Sequence, residues 1–420
     1  MNYDEPYHER EQFPRYRWTM LAIAWFLHLI DGLVWSSPAP LLLQMVDDLS
    51  ISFSEAGLVL GTSYLGFIFI PIIGGSISDK LGVTKTAALA ASVMASASIL
   101  RGTSSGLLDL LAYSALVSIG AAVLIPNFPK MIRQWFPAKQ RATANGIWNT
   151  GFNVGSLVAF AFSIHLANSI LGGWRLVFIL YGLVYIIAIL FWLVLARPPP
   201  QTANHARDRA TDSVLQKVRH VSQNKDILLL FVIFTVLFGA HAAVLGWLPS
   251  LLQDRGFSSE FAGLISSLAW FGSTASSILV PRLSDAIGLR KPFFYILTPL
   301  YGLSLYVVAS FDGPLLLIAV ITLGISASYV FPLAPAIGLE LPDIDASSWG
   351  TASGLIYTGM GIGGLLISTS GGLMIDATGS FSYSALLFLL ISQITIFAVI
   401  PLRETGWRKR RGVDRATPND

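Results

Sequence analysis

Asp79-Lys80-Leu81-Gly82-Val83-Thr84-Lys85 recurs 206 residues further on as Asp285-Ala286-Ile287-Gly288-Leu289-Arg290-Lys291, keeping the acid, the glycine and the last base. Each copy stands between two long apolar runs. Other fragments repeat in the same order at nearly the same spacing. Pro40-x-Leu42-Leu43-Gln44 returns as Pro249-x-Leu251-Leu252-Gln253, and Ala56-Gly57-Leu58 as Ala262-Gly263-Leu264. Pro126-x-x-Pro129 returns as Pro332-x-x-Pro335, and Thr150-Gly151 with Gly155 as Thr358-Gly359 with Gly363. One short match would be chance; five in order mark a duplicated half.

Around these fragments the chain is too apolar for water. Of 420 residues, 54% are hydrophobic and only 12% charged, about half the charged share of a soluble domain. A soluble fold could not hide that much apolar surface. Apolar runs long enough to cross a bilayer, about 20 residues each, fall at 18–44, 55–78, 84–103, 106–130, 142–168, 174–196, 227–251, 260–281, 291–311, 314–338, 350–375 and 380–402. The expected fold is therefore an all-α membrane protein with twelve transmembrane helices in two pseudo-symmetric six-helix bundles. Residues 1–196 form one bundle and 227–402 the other. The stretch 197–226, with Pro198, Pro199 and Pro200 and then a charged run, reads as a linker, and 403–420 as a tail. In the linker Val214, Leu215, Val218 and Val221 keep helical spacing and suggest a short helix on the membrane surface.

Positive charge orients the spans. With the N-terminus inside, 24 of the 27 Lys and Arg fall in inside segments. Only Arg101, Arg175 and Arg255 fall outside, where Arg101 and Arg175 are read as snorkelling from helix ends. Both termini are expected in the cytoplasm of a multi-pass protein of the cell (plasma or inner) membrane. There is no cysteine, so disulfides, thiol nucleophiles and thiolate metal sites are excluded. No zinc, phosphate-loop or nucleophile-elbow spacing occurs. Gly359-x-Gly361-x-x-Gly364 matches a dinucleotide fingerprint, but it lies inside an apolar run with no preceding strand and reads as close helix packing. Neither an enzyme nor a cofactor or metal is expected. The basic run Arg408-Lys409-Arg410-Arg411 follows the last span directly and suits lipid headgroups better than nucleic acid.

The stretch Gly75-Ser-Ile-Ser-Asp79-Lys80-Leu-Gly82-Val-Thr-Lys85 resembles the cytoplasmic loop signature of the major facilitator superfamily. Its second copy, Pro281-Arg-Leu-Ser-Asp285-Ala-Ile-Gly288-Leu-Arg290-Lys291, departs at the first glycine and at the base after the acid. The segment Pro126-Asn-Phe-Pro129-Lys130-Met-Ile-Arg133-Gln-Trp-Phe136 with Arg101 is similar to the cyanate-permease type. Trp135-Phe136-Pro137 followed by Arg141-Ala-Thr-Ala-Asn-Gly146 is also similar to the organic anion:cation symporters and the haem/choline-exporter relatives. The resemblance implies secondary active transport by alternating access. It also implies a charge-relay latch at Asp79 that closes the cytoplasmic side, with Arg133 and Arg141 as candidate partners. A carboxylate at the C-terminal end of a helix needs such a partner, because the helix dipole disfavours it there.

Of 24 acidic residues, only Asp31 lies mid-span. A charge at the bilayer centre costs several kcal/mol unless it is protonated, paired or wetted. With no Lys or Arg placed deep, Asp31 is the leading proton-coupling residue. His28 lies one turn before it on the same face, and His241 lies mid-span in the repeat-related helix, expected across the cavity. Trp35, Tyr64, Asn127, Asn149, Asn153, Trp270, Tyr329 and Tyr357 are the candidates for the cavity lining, with helix packing the competing role for most of them. Proton symport of a small organic compound is the favoured function, with protons and membrane lipids as partners and a monomer as the expected state. An uncoupled facilitator or exporter, and a transporter-like sensor, stay open. The resemblance leans to small organic anions. The charge inventory leans to neutral or cationic solutes, or to an anion held by neutral amides and histidine.

Overall fold

The computed structural model describes residues 15–70, 78, 81–198, 219–344 and 348–406, apart from the side chains of residues 138, 139, 142 and 349. Twelve helices among these residues are long and apolar enough to cross a membrane. They are α1 (Arg17–Leu49), α2 (Phe53–Ile70), α3 (Val83–Arg101), α4 (Leu107–Trp135), α5 (Thr143–Leu171), α6 (Trp174–Leu195), α7 (Lys225–Asp254), α8 (Ser259–Ile287), α9 (Lys291–Ser310), α10 (Pro314–Glu340), α11 (Gly350–Thr378) and α12 (Phe381–Val399). They form two six-helix bundles, α1–α6 and α7–α12. Across the bundles α2 packs along α11, and α5 along α8. Many large apolar side chains remain exposed on the outer faces, among them Phe69, Leu108, Val194 and Phe397. In water they would be a liability; in lipid they face their own kind.

The duplication is visible in how the helices touch. Gly151 and Gly155 on α5 bring that backbone onto α1. A Cβ at Gly151 would stand 2.6 Å from the Trp25 carbonyl oxygen, and one at Gly155 would overlap that of Leu29. In the other half Gly359 and Gly363 on α11 meet the carbonyls of Phe231 and Thr235 on α7 in the same way. These are the repeat counterparts of Trp25 and Leu29. The glycine fingerprint is thus helix packing, and the contact sets how closely α5 approaches α1.

Several helices are interrupted, two of them at a proline. In α1 the first segment ends at Ser36 and a second starts at Pro38, because proline suits a first helical turn and cannot continue the one before. The helix consequently reaches Leu49, beyond the end expected at residue 44. Pro126 interrupts α4 between Leu124 and Asn127. In α10 the break falls at Tyr329. The helix α7 carries a wider turn at Phe234–Phe238.

Connections alternate between the side that carries the chain ends (the terminal side) and the far side. On the far side the two bundles are joined. Asp376, in the last turn of α11, accepts hydrogen bonds from the backbone N–H of Phe53 (3.1 Å) and Ser54 (2.7 Å) at the start of α2, and from the Ser54 hydroxyl. Asn168 of α5 donates to Glu260 of α8 at 2.6 Å. Phe53 meets Phe381 edge-on, with ring centroids 5.2 Å apart.

On the terminal side the second motif copy forms a network. Arg290 reaches Asp285 at 2.6 Å and Glu340, at the end of α10, at 2.7 Å. Partial burial opposes its charge, but Glu340 and Asp285 outweigh that and hold its pKa above the ordinary arginine value. Gly288 adopts a positive φ as the C-cap of α8, and Gly82 has one before α3, which only glycine takes at no cost. Gly75, Asp79 and Lys80 lie outside the described residues. Arg133 is exposed, and the Arg141 guanidinium donates to the Phe136 and Arg133 carbonyls. Of the surface helix expected in the linker, only Val221 is described, and it is buried.

Candidate functional site

A cavity of about 180 Å³ lies between the two bundles. Its wall takes residues from α1, α2, α4 and α5 of one half and α7, α8, α10 and α11 of the other. Of the sequence candidates, Trp35, Tyr64, Asn149, Asn153, Trp270 and Tyr357 line it, as do His28 and His241. Phe67, Trp148, Phe152, Phe238 and Phe331 complete an aromatic enclosure that the sequence reading did not assemble.

Two candidates are corrected. Asn127 lies off the wall, because its amide donates to the Val123 carbonyl at 2.8 Å, beside the break that Pro126 makes. Tyr329 is fully buried between α9 and α10, with its hydroxyl 2.7 Å from that of Thr298 and its ring against Phe294. Asn127 thus bonds within its own helix and Tyr329 ties α10 to α9; neither lines the cavity.

Asp31 also differs from expectation. It does not line the cavity; it stands behind His28. One carboxylate oxygen lies 3.0 Å from His28 Nδ1, and the other accepts from the Tyr185 hydroxyl of α6. Only 3% of Asp31 is exposed, so these two groups are what solvates it. His28 in turn lies flat on Trp148, with ring centroids 4.2 Å apart and planes 12° apart. The close α1–α5 approach at Gly151 and Gly155 makes that stack possible. The arrangement is a buried acid holding an imidazole that lines the cavity. Such a pair can take up and release a proton without exposing a bare charge to lipid. His241 stands on the wall from the other half, with Nε2 3.4 Å from the Ser328 hydroxyl. Nothing in the sequence marks Tyr185 as the partner, because a phenol from a distant helix carries no spacing signal.

Arg101 is corrected too. It does not snorkel. It is fully buried within the first bundle. Its Nη1 donates to the Val34 carbonyl at 3.3 Å and its Nε to Ser114 at 3.1 Å, and the guanidinium lies 6.0 Å from the Phe178 ring centroid. Val34 is four residues before Pro38, so its carbonyl has lost the N–H that a regular helix would supply. The Ser37 hydroxyl, at 3.0 Å, also donates to it. Arg101 thereby pins the break in α1 that follows Asp31. Arg101→Ala would leave that carbonyl only the Ser37 hydroxyl, strand the Ser114 hydroxyl and open a void. We expect a loss of about 3 kcal/mol, read as a lower unfolding midpoint of the detergent-purified protein. An unchanged midpoint would mean that the break supports itself.

Residues 24–348 match the sequence model described as Major Facilitator Superfamily. The chain belongs to that superfamily. Membership makes it a transporter and not an enzyme, in line with the residue chemistry. The superfamily fold also appears in the crystal structure of the nucleoside transporter NupG, which superposes with a TM-score of 0.72 at 18% identity over 93% of this chain and 99% of that one. Among relatives in sequence, the hexuronate transporter of Bacillus subtilis (strain 168) is 25% identical, covering 90% of this chain and 91% of its own. The probable sulfoacetate transporter SauU of Cupriavidus necator is 26% identical, over 86% and 87%.

Proposed function

We propose that the protein is a proton-coupled symporter of small organic acids that works by alternating access, with the His28–Asp31–Tyr185 cluster as the proton site. The observation that carries this reading is the buried carboxylate held between a cavity-facing imidazole and a phenol. An acid so deep in a membrane helix has few structural reasons to be kept. The two relatives named above are described as carriers of acids, hexuronate and sulfoacetate, which supports an anionic substrate here. The bundles 1–196 and 227–402 rock about the cavity, with the linker 197–226 between them. The terminal side, rich in Lys and Arg, faces the cytoplasm of the cell membrane. One chain suffices, since the cavity lies within it.

Proteoliposomes test the coupling. With an inward proton gradient, labelled small organic acids should accumulate above their equilibrium level, and a protonophore should abolish the excess. Equal flux with and without the gradient would leave an uncoupled facilitator in place of the symporter.

A further inference from the structure

Several hydrogen-bonding groups on the cavity wall are unsatisfied. The indole N–H groups of Trp148 and Trp270 are buried and make no hydrogen bond among the described residues, and the same holds for Nδ1 of His241. The carboxamides of Asn149 and Asn153 also line the cavity without a protein partner among these residues. Four of these five groups share one wall. Trp148, Asn149 and Asn153 follow one another along α5, and Trp270 comes from α8, which packs on α5. Phe152 between them meets the Trp270 ring edge-on at 5.8 Å.

An indole N–H can only donate. A wall with two of them unpaired lacks an acceptor, and buried donors are seldom left without one. Among the described residues no Lys, Arg, Asp or Glu lines the cavity, so the missing acceptor is met by neutral donors. The remainder of the wall is mostly apolar and rich in rings, notably Trp35, Tyr64, Phe238 and Phe331, with hydroxyls at Ser273, Ser277 and Ser328. A quaternary ammonium suits aromatic faces, but it would leave both indole donors unpaired, and the Trp148 face is already covered by His28. A polyhydroxy acid would set several hydroxyls against a mostly apolar wall, where only those near the carboxamides and serines find partners.

Resting on the transport reading of this cavity, we infer that its substrate is a small aromatic carboxylate. The carboxylate accepts from the α5–α8 donors, and the ring lies among the aromatic side chains. The substrate's charge is matched by the proton on His28 rather than by a fixed cation.

The test uses the purified full chain with benzoate, gluconate and benzyltrimethylammonium as probes, read by thermal shift and titration calorimetry. Benzoate should bind and raise the melting midpoint, whereas the other two should not. Trp270→Phe keeps a ring and removes the N–H, and should weaken benzoate binding about tenfold. Trp148→Phe should act in the same direction, which guards against one variant failing to fold. Three results would each overturn the inference: tighter binding of gluconate or benzyltrimethylammonium, no benzoate binding to folded protein, or unchanged benzoate affinity in both variants. Flux separates this from the reading beneath it. Gradient-driven uptake of gluconate would keep the symporter and remove the aromatic acid. Benzoate binding without any flux would keep the aromatic acid and remove the symporter.

Discussion

Asp31→Asn is expected to abolish uptake driven by a proton gradient while exchange of substrate across the membrane survives. The substitution keeps the shape of the side chain and its place between His28 and Tyr185; it removes one charge. In the native cluster the pair carries one negative charge when the imidazole is neutral and none when it is protonated. An anion entering the cavity meets repulsion in the first state and not in the second. At an effective dielectric constant of about 20, a charge about 6 Å away changes the energy of the anion by about 3 kcal/mol. That is near a hundredfold in affinity. Because linkage is reciprocal, the anion would favour the proton by the same factor, which is what the proposed symport requires.

With asparagine the imidazole loses its counter-ion, and a proton on it would be a buried unpaired charge, so the cluster stays unprotonated and the anion has no proton to couple to. The measurement is paired. Gradient-driven accumulation should fall to the level of empty liposomes, and counterflow at equal pH on both sides should persist. In wild-type protein the apparent affinity for an acid should improve as pH falls, and in the variant that dependence should flatten. Full gradient dependence in Asp31→Asn would remove the cluster from the coupling mechanism.

The sequence carried the architecture because membrane helices must satisfy their backbone within themselves, so span length and repeat order leave little freedom. The site was legible only in part, for a related reason. Helical spacing tells which residues share a face, but not which way a broken helix turns. Asn127 and Tyr329 both adjoin breaks; the Asn127 NH2 turns to the Val123 carbonyl of its own helix, and the Tyr329 hydroxyl to Thr298 of α9. The placement of Asp31 behind His28, rather than opposite His241, follows from the α1–α5 approach, which the glycine repeat hinted at without giving its depth. Trp148 lacked any signal of its own. It became a wall residue only because its neighbour Gly151 let α5 close on α1. Arg101 was read as snorkelling because it ends its helix; the carbonyl freed by Pro38 draws it inward instead.

Asp376→Ala is expected to loosen the far-side closure. The motif reading placed a latch at Asp79, where a carboxylate at the end of one helix seeks a partner. The far side has the same electrostatic problem solved in sight. Asp376 sits in the last turn of α11, where the helix dipole disfavours it. It is accepted by the first turn of α2 from the other bundle, whose free N–H groups carry the opposite partial charge. A single contact thus settles two helix ends, and only while the bundles are closed on that side. The contact is exposed, so solvent screens it, and its loss is worth about 1 kcal/mol, or about fivefold in the open population. Because the chain has no cysteine, Leu245→Cys on the cavity wall gives a clean reporter. Added reagent that cannot cross the membrane should label it from the far side about fivefold faster when Asp376 is alanine. An unchanged labelling rate would mean that the apolar packing of Phe53 against Phe381, and not the carboxylate, holds the far side shut.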